Sequence, residues 1–320
     1  MSKTHSEVTS RRAWVLGDYG RAEDLKLREA PPAPPGAGQV AIEVEAVSLN
    51  PLDLKLIAGE LREIMPIGFP FVPCNDVCGT IIAVGEGETG SKIGDRVVAL
   101  LPGGGGLSTH VVAAASAVAT VPPGLDPADV ATLPVAGLTA LQIVNACGPL
   151  AGASVAVIGA TGGVGLFVCQ LVAAAGAQVV ATATGTEQAL VRGAGASDVL
   201  DYRATLTVAE LRRRYPAGLD ALIDLIAQGE ALLETATAVK PGGRLVSTLF
   251  GPDPASFSGG VEVRYIRLSP SPADLATLAG RLADRTLRAH VAQTFAFEDA
   301  PAALAALRDG HILGKIVVRS

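Results

Sequence analysis

Residues 155–165 read Val155-Ala-Val-Ile-Gly-Ala-Thr-Gly-Gly-Val-Gly165, an apolar β-forming run that passes straight into a glycine-rich turn. A strand, a glycine turn and a helix start in that order form a dinucleotide-binding geometry. Ile158 ends the strand, Gly162 lets main chain approach a pyrophosphate with no Cβ in the way, and Gly165 lets the next helix pack closely on the strand. The helix N-terminus supplies free N–H groups and positive dipole to the phosphates. The first position of the usual G-x-G-x-x-G is Ala160, a variant of the turn. Residues 164–175 are apolar on nearly every face, as a crossover helix wedged against a sheet requires, and Gly176 stops them. Gln178 to Thr184 is a second β-rich run, completing a βαβ unit of roughly thirty residues.

The end of that second strand bears on the cofactor. An NAD site places Asp or Glu there to hold the ribose 2′-hydroxyl, whereas this chain has Ala183-Thr184-Gly185-Thr186. A small hydroxyl leaves room for a 2′-phosphate and can donate to it, which favours NADP(H). Glu187 reads as a solvated first-turn residue of the next helix, where acids are favoured, with the ribose acid displaced by a few residues as the other reading. Arg192 and Arg203 are the candidate cations for the phosphate.

A chain of 320 residues, 49% hydrophobic and 18% charged, with mean hydropathy +0.41, suits two globular domains around large cores. The net charge is −6, and the basic cluster Arg212-Arg213-Arg214 reads as a solvated helix face, so nucleic acid is not an expected partner. No apolar stretch of about twenty residues is free of turn signals, and Met1 to Arg12 is polar, so no membrane span is expected and a cytoplasmic location is. Four cysteines, Cys74, Cys78, Cys147 and Cys169, show no disulfide framework.

Along the chain, residues 1 to about 11 read as a frayed tail. Strands are expected at Ala13–Leu16, Leu25–Arg28, Gln39–Val47, Thr80–Val84, Arg96–Leu100 and Leu107–Ala113, with a short helix or loop over Asn50–Ala58. From Pro127 the texture changes to alternating helices and strands, the pattern of a parallel sheet, and Gly314–Val318 is again β, returning to the first module. The expected fold class is α/β, a Rossmann doubly wound parallel sheet over residues 127–287 plus a β-rich barrel-like domain over 1–126 and 288–320.

The motifs Ala46-Val-Ser-Leu-Asn-Pro-Leu-Asp53, Asn75-Asp-Val-Cys-Gly79, Val84-Gly-Glu-Gly87, Gly94-Asp-Arg-Val97 and Leu133-Pro-Val-Ala-Gly-Leu-Thr-Ala140 fall in one order with the glycine turn. They are followed by Gly195-Ala-Ser-Asp-Val-Leu-Asp-Tyr202, Pro241-Gly-Gly-Arg-Leu-Val246 and Gly310-His-Ile-Leu-Gly-Lys-Ile-Val317. In this register the chain, from about Arg12 to Arg319, resembles a zinc-independent quinone oxidoreductase of the medium-chain dehydrogenase/reductase superfamily. The resemblance implies a GroES-like catalytic domain, a Rossmann domain, a cofactor cleft between them, NADPH, and a homodimer or homotetramer. The cofactor set it implies is Thr139, Gly159, Ala160, Thr161, Gly162, Gly163, Val164, Gly165, Thr184, Tyr202, Leu249 and Phe250. Thr139 matches a threonine beside the nicotinamide, and Thr184 and Tyr202 match residues at the 2′-phosphate. A family lysine that reaches this phosphate falls near Gln188 here.

Metal-dependent relatives hold zinc with a cysteine near position 50 and a histidine near 75, where this chain has Asn50 and Asn75. Neutral amides are poor zinc ligands, so no metal is expected, and Cys74 and Cys78 read as buried thiols. The chemistry left is hydride transfer to an acceptor already electrophilic, a small hydrophobic conjugated carbonyl such as a quinone, enone or enoyl group. The protein must then orient the acceptor and stabilise a developing enolate oxygen. Asn50 is the candidate donor, its other reading being a turn-forming Asn before Pro51. Asp53 and Lys55 are candidates to orient it or relay a proton, or form an exposed ion pair. Ala58-Gly-Glu-Leu-Arg62 lacks the tyrosine that related enoyl reductases use as proton donor, which leaves solvent or Lys55. His110 and His311 are assigned structural roles. The alternative function is a dinucleotide-binding relative with little or no redox turnover.

Overall fold

The computed structural model describes residues 10–320. Most of the expected N-terminal tail lies outside the described residues; Arg11 is already in a strand. The chain divides into two units, one made of the described residues up to Val135 together with Pro270–Ser320, the other of Ala136–Ser269.

The first unit opens with β1 (Arg11–Val15), β2 (Lys26–Ala30), β3 (Gln39–Ser48), α1 (Pro51–Ile57), β4 (Asp76–Val84), β5 (Arg96–Leu100), β6 (His110–Ala114), β7 (Val118–Thr120) and α2 (Pro127–Ala131). The second carries α3 (Leu138–Ala146), β8 (Ser154–Ile158), α4 (Gly163–Ala174), β9 (Gln178–Thr182), α5 (Glu187–Gly193), β10 (Asp198–Leu200), α6 (Thr207–Arg214), β11 (Leu219–Asp224), α7 (Ala231–Ala236), β12 (Val239–Ser247) and β13 (Glu262–Tyr265). The chain then returns to the first unit with α8 (Pro272–Ala283), β14 (Val291–Ala296), α9 (Ala300–Asp309) and β15 (Lys315–Arg319).

In the first unit a seven-stranded sheet runs β14-β15-β3-β4-β5-β7, with β6 also paired to β3. The inward residues Val40, Ile42, Val44, Ile81, Val97, Ile316 and Val318 meet in one apolar core, the main source of stability in such a module. The expected return of the C-terminus is seen: β15 pairs antiparallel with β3, Val317 opposite Ser48. Continued by two residues, that register brings Lys315 level with Asn50. The boundaries differ from those expected at 126/127 and 287/288. Helix α2 packs on β3, β4 and β15, and α8 on β5 and β7, so both belong to the first unit. Alternating texture cannot reveal this, because a helix reads alike whichever sheet it covers.

The second unit is a six-stranded parallel sheet, ordered β10-β9-β8-β11-β12-β13. Strand order reverses between β8 and β11, and ligands of doubly wound sheets bind beyond the carboxyl ends of the strands at that point. Helix α4 buries Leu166, Phe167, Val168, Cys169, Leu171 and Val172, the all-round burial read from its sequence. Arg212, Arg213 and Arg214 are exposed, and two of them pair with acids: Arg213 with Glu210, and Arg214 with Glu210 and Asp198. Among the described residues no helix is long and apolar enough to cross a membrane.

Candidate active site

The glycine turn lies where β8 meets α4, at the switch point. Gly165 packs so closely that a Cβ there would stand 2.2 Å from Gly159 O and 2.7 Å from Ala160 Cα. At Gly162, the residue before α4, an added Cβ would meet only Gly159 O, at 3.6 Å, so the space above it is open. No side chain caps the first turn of α4, whose entry residues Gly163 and Val164 are half-buried while Ala160 and Thr161 are buried beneath. An open approach at Gly162 over an uncapped helix start fits a pyrophosphate. Sequence reading missed Thr182. Its buried hydroxyl accepts the Gly159 N–H at 3.1 Å and donates to Val157 O, holding the turn to the neighbouring strand.

Strand β9 ends at Thr182, so Thr184 lies two residues beyond it, half-buried. Glu187 corrects an expectation. It is the first residue of α5, as read, but only 8% exposed rather than solvated, and its carboxylate accepts the Thr184 N–H at 3.0 Å. A short loop bent back on itself makes this contact, which helix propensity alone does not foretell. Tyr202 is half-buried with the exposed Arg203 guanidinium over its ring at 6.0 Å, while Arg192 is exposed on α5. Thr139 is buried on α3. Leu249 follows β12 and donates its N–H to Ser247 Oγ; Phe250 is 55% exposed and tilts against Tyr265.

Two catalytic candidates of the first unit, Asn50 and Asp53, belong to a buried polar cluster. Asn50 precedes α1 and Pro51 begins it, while the Asp53 carboxylate turns back to accept the Asn50 N–H at 2.7 Å. The Asn50 side-chain amide donates to Asp76 Oδ2 at 2.9 Å and weakly to Ser48 O at 3.4 Å, and its Oδ1 accepts from the Lys315 ammonium. Lys315 also donates to Leu49 O at 2.6 Å, and Asp76 Oδ1 accepts the Val135 N–H at 2.9 Å. The amide expected to face an enolate is thus committed within the protein. Lys55 is a second correction. It is half-buried and makes no side-chain hydrogen bond or ion pair among the described residues; the lysine on Asn50 is Lys315. Five residues along α1, Lys55 points about 140° away from the Asn50 side.

Asn50, Asp53, Asp76 and Lys315 are all buried, so the cluster holds two carboxyl groups and one amine away from water. Burial pushes the Asp53 carboxyl up to about 7, against the pull of the Asn50 N–H, and Asp76 adds to the rise. Burial likewise lifts Asp76 to about 6, opposed chiefly by Lys315, and lowers Lys315, opposed by Asp76 and Asp53. Asp53 Oδ1 is sealed from water and meets no nitrogen or oxygen donor, the Cys74 thiol being the donor group beside it. The Cys74 thiol beside Asp53 is raised by burial and by the two carboxylates.

Asn75 sits apart in its bonding. Its Oδ1 accepts the Gly104 N–H at 2.9 Å and its backbone O accepts the Leu101 N–H, while its Nδ2 makes no hydrogen bond among the described residues. His110 bonds locally, Nδ1 with Thr109 Oγ1 at 3.0 Å, and burial lowers its pKa. A cavity of about 520 Å³ beside His110 is lined by Arg12 and Arg319 among others, each already paired, with Glu298 and Asp126. His311 is exposed just before β15. All four cysteines are buried and unpaired as disulfides. Among the described residues no group of three or more His, Cys, Asp or Glu is arranged to hold a metal ion.

Known proteins resemble this chain over its length. A family model described as an alcohol dehydrogenase GroES-like domain matches residues 36–123, and one described as a zinc-binding dehydrogenase matches 194–318. The chain is 33% identical over 315 residues to the chloroplast envelope quinone oxidoreductase homolog of Arabidopsis thaliana, which covers 93% of this chain and 95% of that one. Among solved structures, the quinone oxidoreductase from Coxiella burnetii matches with a TM-score of 0.84 at 26% identity, over 97% of this chain and 99% of that one. A mycobacterial protein complexed with NADPH matches with a TM-score of 0.83 at 26% identity, over 97% of this chain and all 100% of that one.

Proposed function

The chain belongs to the quinone oxidoreductase-like proteins of the medium-chain dehydrogenase/reductase superfamily, and from that membership we propose an NADPH-dependent, metal-independent reductase of conjugated carbonyl acceptors. That it is an oxidoreductase follows from the family. The observation that carries the proposal is the pairing of an open glycine turn at the switch point with amides at positions 50 and 75.

Residues Gly162 to Gly165 and the first turn of α4 would hold the pyrophosphate, with Thr139, Leu249 and Phe250 toward the nicotinamide and Thr184 and Tyr202 toward the 2′-phosphate. Bound there, the dinucleotide supplies a hydride from its nicotinamide ring. The acceptor takes the hydride at carbon, its π electrons move to the carbonyl oxygen, and a proton then completes the reduction. The work left to the protein is to orient the acceptor and place donors at that oxygen. A quinone, enone or enoyl group meets these terms without a Lewis acid. A second copy of the chain is the expected partner, and β13 at the sheet edge leaves backbone groups for it.

Oxidation of NADPH is followed by absorbance with a panel of quinones and enones, next to a direct titration of dinucleotide binding. Saturable binding with no acceptor reduced would sink the reductase and leave a dinucleotide-binding relative without turnover, a reading that the committed Asn50 amide favours. Stoichiometric zinc in the purified protein would overturn the metal-free mechanism.

A further inference from the structure

We infer that Asn75 is the catalytic hydrogen-bond donor to the carbonyl oxygen of the acceptor, through its Nδ2. This rests on the reductase reading above and assigns the oxyanion donor that Asn50, being committed to Asp76 and Lys315, does not provide.

Three observations carry it. First, Asn75 is a polar side chain only 5% exposed, and its amide is used on one side alone. The Gly104 N–H can only meet an oxygen, so it settles which way the amide faces: Oδ1 toward the loop, Nδ2 away from it. Second, Nδ2 makes no hydrogen bond among the described residues, yet it is not among the side-chain atoms sealed from solvent without a partner. A nearly buried amide with two unspent donors on an accessible atom suits a ligand oxygen.

Third, the backbone around Asn75 is built to hold it. Cys74 takes a left-handed φ of 72°, rare and costly for a residue with a side chain. Gly104 has φ 90° and lies so near the chain that a Cβ would stand 2.5 Å from Val72 O. The loop is clasped by Gly105 N–H to Val72 O, Gly106 N–H to Cys74 O and Leu107 N–H to Pro73 O. On its other side Asn75 adjoins Asp76, which the Val135 N–H and Asn50 hold in place. The amide is therefore set before any acceptor arrives, and charge developing on the acceptor oxygen strengthens its hydrogen bond.

Two variants test this. Asn75→Asp keeps an oxygen for Gly104 and removes the donors; Asn75→Ala removes the whole amide. The probe is 4-(dimethylamino)cinnamaldehyde, a conjugated aldehyde whose absorption moves to longer wavelength when its oxygen accepts a hydrogen bond. The wild type is expected to red-shift the bound probe. Both variants are expected to lose the shift and at least tenfold in kcat, with NADPH affinity within twofold of wild type; both still fold, at a lower melting temperature, since Asn75→Ala frees the Gly104 N–H and Asn75→Asp brings a carboxyl group beside Asp76. A shift and a kcat within twofold of wild type in either folded variant overturn the assignment. If neither variant folds, the wild type decides: a bound probe with no red shift overturns it. Failure of the wild type to oxidise NADPH with any acceptor refutes the reductase reading instead, so the two failures are distinct.

Discussion

The buried ammonium of Lys315 donates to Oδ1 of Asn50 across 265 residues of sequence, joining the last strand of the chain to the start of α1. The same lysine opposes the burial of Asp76, so its removal strands a carboxylate without its cation. Lys315 and Asp76 meet through the Asn50 amide rather than directly, and Lys315→Met should lower stability by about 3 kcal/mol, the order expected when a buried carboxylate loses the cation that offsets it and a buried amide oxygen loses its donor. Adding Asp76→Asn should restore part of that loss. Chemical denaturation of the two single variants and the double settles it: additive losses would show that the pair is not coupled.

The raised carboxyl of Asp53 sets a direction for pH. Unfolded, an Asp gives up its proton near pH 4; folded, Asp53 keeps it to about 7. Between those values the folded chain holds one more proton than the unfolded, so this group's stabilisation is full at low pH and is lost as pH rises through about 7. The charged and titratable groups facing it are Asp76, Lys315 and Cys74. Asp53→Asn keeps an oxygen for the Asn50 N–H and removes the titration. Relative to wild type, the variant should gain on the order of 3 kcal/mol between pH 5 and pH 8. Parallel pH profiles for the two proteins would contradict the assignment.

Two glycines of the turn should behave differently. Gly165→Ala forces a Cβ to 2.2 Å from Gly159 O, so the variant should melt well below wild type by several degrees or fail to fold. Gly162→Ala meets nothing nearer than 3.6 Å at an ordinary φ of −74°, so it should fold normally. Its methyl group would then stand in the dinucleotide's path and weaken NADPH binding about tenfold or more. Melting curves without cofactor, paired with fluorescence titrations, check both; normal NADPH affinity in Gly162→Ala would move the pyrophosphate elsewhere.

The carboxylate of Glu187 on the Thr184 N–H bears on NADPH against NADH. Glu187→Gln keeps an acceptor for that N–H and removes a negative charge beside the place proposed for the 2′-phosphate. NADPH affinity should rise about tenfold while NADH changes little, the scale of one charge pair at a half-buried site. Titration with 2′,5′-ADP and 5′-AMP reads the same difference without turnover, and equal changes for the two would place the phosphate away from Glu187.

Much of this protein was legible along the chain because local rules decide it. The β-forming run, the glycines of 159–165 and the apolar α4 require no distant partner to be read, and alternating strands and helices imply a parallel sheet wherever they occur. The acid-free strand end and the amides at positions 50 and 75 were equally open to view. What the chain alone could not decide was who meets whom. Lys315 was preferred over Lys55 by the register of β15 on β3, Glu187 turned inward through the bend of its loop, and α2 and α8 joined the first unit by packing. That the Asn50 amide is bonded on both sides and the Asn75 amide on one is of the same kind, since both stand in short motifs and only their neighbours differ. Side-chain pairing between distant segments depends on strand register and on which polar groups are sealed from water, and both are properties of the folded chain.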